Sequence, residues 1–81
     1  MNTDTLLKRL ADIVGKVAPE ADLSDIEADE DFREQLDIDS MDFLNIMVGV
    51  KKELGVDVPE SDYGDIETLD DLLNYLGPKV G

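Results

Sequence analysis

From Thr3 to Val17 the apolar residues Leu6, Leu7, Leu10, Ile13, Val14 and Val17 recur at spacings of three and four. Such spacings gather side chains on one face of an α-helix, so the pattern predicts a first helix over Thr3–Val17. Asn2 or Thr3 supplies its capping side chain, Asp4 suits the positive end of its dipole, and Pro19 marks where it has ended.

No period is sustained from Glu20 to Asp39, where Leu23, Ile26, Phe32, Leu36 and Ile38 punctuate an acidic segment. The reading is a long loop pinned to the core. A loop of this length is uncommon in a small domain unless it is functional or holds structure of its own, and "DEDFREQL", Asp29–Leu36, supplies a short helix.

Helical spacing returns at Ser40 and runs to Leu54, with Asp39 as N-cap and Gly55 just past the end. Phe43, Ile46, Met47, Val50 and Leu54 form a core face. Met41, Leu44 and Val48 form a second apolar stripe beside it, leaving Asp42, Asn45, Gly49, Lys52 and Glu53 on the polar side. Either the loop and the "SDYG" turn cover this surplus, or it is a docking surface next to Ser40. Gly49 costs about 1 kcal/mol of helix propensity relative to alanine, for which a close backbone contact is the one available reason.

"GVDVPE" then turns the chain, and a short helical turn is expected near Tyr63. Thr68 and Asp71 make a weak version of a capping box before a last helix over Leu69–Leu76. Leu69, Leu72, Leu73 and Leu76 share a face of it, and Gly77 with Pro78 stops it. The expected fold is all-α: a small bundle of three main helices plus one short helix, with the long loop between the first and second main helices.

Eighty-one residues suit one small domain spanning 1–81. Twenty-one Asp and Glu against seven Lys and Arg give a formal charge of −14, which repels nucleic acid and anionic membranes and favours basic partners. No basic leader or apolar stretch long enough for a membrane span is visible, so a cytoplasmic protein, expected as a monomer, is the reading.

The chain has no His and no Cys, which removes histidine-based triads, cysteine nucleophiles, disulfides and thiolate metal sites. Asp37, Asp39 and Asp42 lie in a solvated acidic segment with no evident pocket, so no catalytic residue is assigned. Asp37 and Asp39 also fit the first and third positions of a calcium loop, but Asp42 replaces the turn glycine and Val48 the closing glutamate. That pattern supports weak, nonspecific divalent-ion binding at most, and no metal site is assigned. There is no glycine-rich phosphate loop and no basic patch with interleaved aromatics.

Ser40 is different. At the first turn of a helix after a long loop it is exposed and reachable, and the free N–H groups there favour an attached phosphate. The stretch "LDIDSMDFLNIMVGVKKELGVDVPE" resembles the centre of an acyl carrier protein, with "DSM" in place of the commoner "DSL". The leading helix, loop, serine-led helix, "VP" turn and closing "TLDDLLNYL" follow the family's order, so the likeness covers nearly the whole chain.

The resemblance implies a 4'-phosphopantetheine attached covalently to Ser40 by a phosphopantetheinyl transferase, its thiol carrying an acyl group as a thioester. On that reading the protein is a freestanding carrier, not an enzyme, serving synthases or ligases with basic docking patches in fatty-acid, polyketide or specialised lipid synthesis. Asp39 matches the motif's aspartate, with capping as its simpler role. Met41, Asp42, Leu44, Asn45 and Val48 fall on the family's partner-binding surface. Two features depart from the family: Asn45, Lys51 and Lys52 stand where carboxylates are common, and Asp37 where glycine is common. An aminoacyl or peptidyl carrier is the first alternative, and an unmodified acidic adaptor for a basic partner the second.

Overall fold

The structure, a computed structural model, describes residues 2–80, with Ser24 described by its backbone alone. Four α-helices follow in order: α1 (Thr3–Val17), α2 (Phe32–Leu36), α3 (Ser40–Leu54) and α4 (Leu69–Leu76). Single 3₁₀ segments occupy Leu23–Asp25, Glu60–Asp65 and Gly77–Lys79. Among the described residues there is no β-strand, only an isolated antiparallel pairing of Asp31 with Thr68. The all-α bundle of three main helices and one short one is thus observed.

The predicted bounds of α1, α3 and α4 hold because the periodicity and the capping residues agree. Asn2, not Thr3, caps α1, its Oδ1 accepting the Thr5 N–H at 2.8 Å. Thr68 and Asp71 form a full reciprocal capping box: Thr68 Oγ1 accepts the Asp71 N–H at 3.0 Å, and Asp71 Oδ2 accepts the Thr68 N–H at 3.2 Å.

The core is built from Leu6, Leu10, Ile13 and Val14 of α1, Phe43, Ile46, Met47 and Val50 of α3, and Leu69, Leu72 and Leu76 of α4, all buried. Burying an aliphatic or aromatic side chain of this size contributes about 1.5–3 kcal/mol. Arg9 Nη2 donates to the Glu53 carbonyl at 2.9 Å while Ile13 faces Gly49. Residue numbers therefore rise on α1 as they fall on α3, and the two helices run antiparallel. A Cβ at Gly49 would lie 2.7 Å from Ile13 Cγ2. The neighbour that demands glycine is thus a branched side chain, not a backbone.

Two expectations need correction. Leu54 is only half-buried, because the chain turns at Gly55 (φ 74°) and sends Val56 and Val58 into the core instead. These two are separated by one residue of extended chain and so point the same way. The short helix begins at Phe32, not Asp29, because the Asp31 carboxylate caps it by accepting the Arg33 N–H at 2.9 Å and the Glu34 N–H at 3.1 Å. Gly77 ends α4 as expected, though without a left-handed cap. It is right-handed (φ −49°, ψ −52°), and the 3₁₀ turn that follows includes Pro78 and delivers Val80 to the core.

The long loop is fastened at both ends. Leu23 and Phe32 are buried in the core. The Phe32 N–H donates to the Glu67 carbonyl and the Asp70 N–H to the Ala28 carbonyl, each at 3.0 Å, tying the loop to the start of α4. Gln35 closes its middle, accepting the Glu27 N–H at 2.7 Å and donating back to the Glu27 carbonyl at 2.9 Å.

Candidate functional site

Ser40 is the first residue of α3 and is exposed. Asp39 sets its geometry from an extended conformation (φ −95°, ψ −176°): Oδ1 accepts the Asp42 N–H at 2.9 Å and the main-chain carbonyl accepts the Phe43 N–H at 3.0 Å. The capping role read from the sequence is therefore present. The N–H groups of Ser40 and Met41 precede the helix's own hydrogen-bond ladder and point along its positive end.

The approach to Ser40 is shaped by Asp37, the one described residue other than glycine with positive φ (φ 54°, ψ 46°). It ends α2 in a left-handed turn, and the next residue, Ile38, donates its N–H to the Arg33 carbonyl at 3.1 Å. This conformation explains why glycine is the expected residue there, and why aspartate, which tolerates it better than most, is an acceptable replacement.

On the outer side of α3, Met41 and Val48 are 62% and 58% exposed, while Leu44 is half-buried. Neither the loop nor the Glu60–Asp65 turn covers the first two. Asn45, Lys51 and Lys52 are also exposed, and Lys51 reaches Asp57 at 3.8 Å across open surface. Asp42 is half-buried and lines a hollow of about 490 Å³ between the end of α1 and the approach to α3. Ala18, Pro19, Ala21, Leu36 and Ile38 supply its apolar lining, and Glu20, Asp37 and Asp42 its charge.

Sequence reasoning missed the cluster on the inner side of α3. Tyr63 meets the Phe43 ring edge-on at 5.0 Å, Phe32 lies 5.8 Å from it, and the Arg33 guanidinium sits 4.5 Å from its centre. The only signal was a lone arginine in an acidic stretch. Burial first, then the Glu60 and Asp57 charges, raise the Tyr63 hydroxyl above the usual phenol value. No group of three or more acidic or sulfur and imidazole side chains among the described residues is arranged to hold a metal ion. No helix among them is long and apolar enough to cross a membrane.

A family model described as the phosphopantetheine attachment site matches residues 5–76. An acyl carrier protein of Renibacterium salmoninarum is 32% identical over 78 residues, covering 93% of this chain and 91% of the relative. One from Rickettsia bellii is 35% identical over 71 residues, covering 88% of this chain and 77% of the relative. The corresponding protein of Thermobifida fusca is 30% identical over 71 residues, covering 88% and 89%.

The chain belongs to the acyl carrier protein family. Acyl carrier proteins are carriers rather than catalysts, and phosphopantetheine is their covalent cofactor. As members of a carrier family they work with transferases and synthases. The residues around position 40 fit that group: the hydroxyl is exposed, so a bulky substituent displaces no core side chain, and a helix start is favourable for a phosphate.

Proposed function

We propose that Ser40 is the attachment residue and that the protein carries acyl groups for fatty-acid, polyketide or specialised lipid synthesis. The observation that carries this reading is an exposed serine at the first turn of α3, held by the Asp39 cap, inside a family match spanning residues 5–76. When bound, phosphopantetheine supplies the thiol to which an acyl group is attached as a thioester. The chain's own residues present and orient the attachment point: Asp39 fixes the first turn, and the left-handed turn at Asp37 ends α2 before α3 begins.

Partner enzymes would meet Met41, Leu44 and Val48, with Asp42 and Asn45 beside them. The exposed apolar stripe supports that surface, and Lys51 and Lys52 give it mixed charge. A dedicated synthase or ligase with a matching mixed patch fits better than a uniformly basic one, because complementary charge selects partners and sets encounter rates.

Intact-mass measurement after co-expression with a broad-specificity phosphopantetheinyl transferase tests the attachment. One phosphopantetheine is expected on the wild type and none on Ser40→Ala, and equal gain on both defeats the reading. Loading the holo-protein with fatty-acyl and aminoacyl ligases tests the cargo. Preferential aminoacylation replaces the acyl assignment by an aminoacyl or peptidyl carrier.

A further inference from the structure

Of the seven basic side chains in this strongly acidic protein, Arg33 is the only one between Val17 and Val50. The others near the bundle are engaged elsewhere: Arg9 and Lys16 at Glu53, Lys51 at Asp57, and Lys79 over the Tyr75 ring. Among the described residues no carboxylate lies within 4.0 Å of the Arg33 guanidinium, although twenty-one acidic residues were available to provide one. Its one recorded side-chain partner is the face of Phe43, 4.5 Å from the ring centre.

Phe43 lies three residues after Ser40 on α3, so the two side chains are neighbours on the helix surface, with Cβ atoms about 5–6 Å apart. Side chains of a helix lean toward its N-terminus, which brings the Phe43 ring, and the guanidinium stacked on it, toward the turn that bears Ser40. The end of α2 is folded against the same approach, since the Arg33 carbonyl accepts the Ile38 N–H at 3.1 Å. Toward the end of α1 the charge has the opposite sign: Glu20, Asp37 and Asp42 line the hollow there. A phosphate on Ser40 is thus repelled from the hollow and attracted toward the Arg33 guanidinium over Phe43.

We propose that Arg33 is the positioning residue for the phosphodiester attached to Ser40, and directs the arm away from the acidic hollow and over the Phe43 and Tyr63 side. This rests on the reading that Ser40 is the attachment residue. A phosphodiester presents two non-bridging oxygens, sharing one negative charge, that match the planar fork of a guanidinium, and stacking on Phe43 holds that fork ready before the phosphate arrives. Lysine keeps the charge but loses both the fork and the planar stack.

The test compares apo and holo protein without cargo, so that no carboxylate on an acyl group takes the place of the phosphate. Mass spectrometry first establishes loading. The Arg33 Nε–H resonance is expected to move on loading in the wild type. The 31P resonance of the holo wild type should differ from that of phosphopantetheine on a short serine peptide. In Arg33→Gln the 31P shift should collapse onto the peptide value, Arg33→Lys should fall between, and Lys8→Gln, which removes the same charge at an exposed site on α1, should match the wild type. Loaded protein whose 31P and Arg33 signals are indifferent to these changes overturns the role of Arg33 and leaves the attachment reading intact. Failure of the wild type to load at Ser40 removes both.

Discussion

Ile13 Cγ2 occupies the space that a Cβ on Gly49 would need, at 2.7 Å. The β-branch that makes the contact belongs to a stiff side chain, so it cannot swing aside as the end of a flexible one does. Gly49→Ala should therefore destabilise by about 1–3 kcal/mol despite alanine's better helix propensity. Ile13→Leu moves the branch away from the backbone, and urea melts of the double variant should show less than the sum of the two single losses.

Core truncation should rank by burial. Leu10 and Ile46 are fully enclosed, and replacing either by alanine should cost about 2–5 kcal/mol. Leu54→Ala should cost clearly less, since Leu54 is half-buried and Val56 and Val58 seal that end. Equal losses at Leu54 and Leu10 in denaturant titrations would contradict this placement of the core.

Position 37 should discriminate by backbone, not by charge. Asp37→Val places a β-branched residue at φ 54° and should lower stability by about 1–2 kcal/mol. Asp37→Gly should cost far less, because glycine's ease in this conformation offsets its greater freedom in the unfolded chain. Thermal melts of the two variants read the difference directly.

The pH dependence has two limbs of opposite sign. The N–H groups of Glu67 and Thr68 hold the Asp71 carboxyl below its ordinary value of 3.8. Its stabilising contribution is fully present above that unfolded value and is lost as pH falls through the lower folded one. The hydrogen bond from Tyr75 to Asp62, at 2.6 Å, raises the phenol above its ordinary 10.0. That contribution is complete below pH 10 and disappears as pH rises through the folded value. Asp71→Asn should flatten the acid limb of a stability profile and Tyr75→Phe the alkaline one, each leaving the other unchanged.

A formal charge of −14 on 81 residues should make the fold salt-sensitive. Self-repulsion is screened over a Debye length of about 10 Å at 0.1 M, so melting temperature should rise with added salt. A flat response would show that the carboxylates are far enough apart to ignore one another.

The three main helices were legible because each carries an amphipathic period and a matching cap, as at Asp39 and at the Thr68 and Asp71 pair. Ser40 stood out as a candidate because a capping aspartate, a serine and a hydrophobic run coincide. Val56, Val58, Ile66 and Val80 escaped notice although all are buried, since they lie in extended or irregular chain where no helical period marks them. The left-handed turn at Asp37 and the Arg33 stack depend on how α2 meets α3, a tertiary fact that local pattern does not encode. Gly49 showed a cost without its cause, because Ile13 is distant in sequence.

The two hydrogen bonds that fasten the long loop to the start of α4 join segments made at well-separated times in the chain's synthesis. The platform beneath position 40 is finished only when Glu67 and Asp70, far downstream of it, have emerged and docked. A polypeptide still on the ribosome, with α4 inside the tunnel, has its helix-leading serine but not the fixed approach to it. On the reading that Ser40 is the attachment residue, a transferase that reads that approach is expected to pass over chains in which α4 has yet to dock.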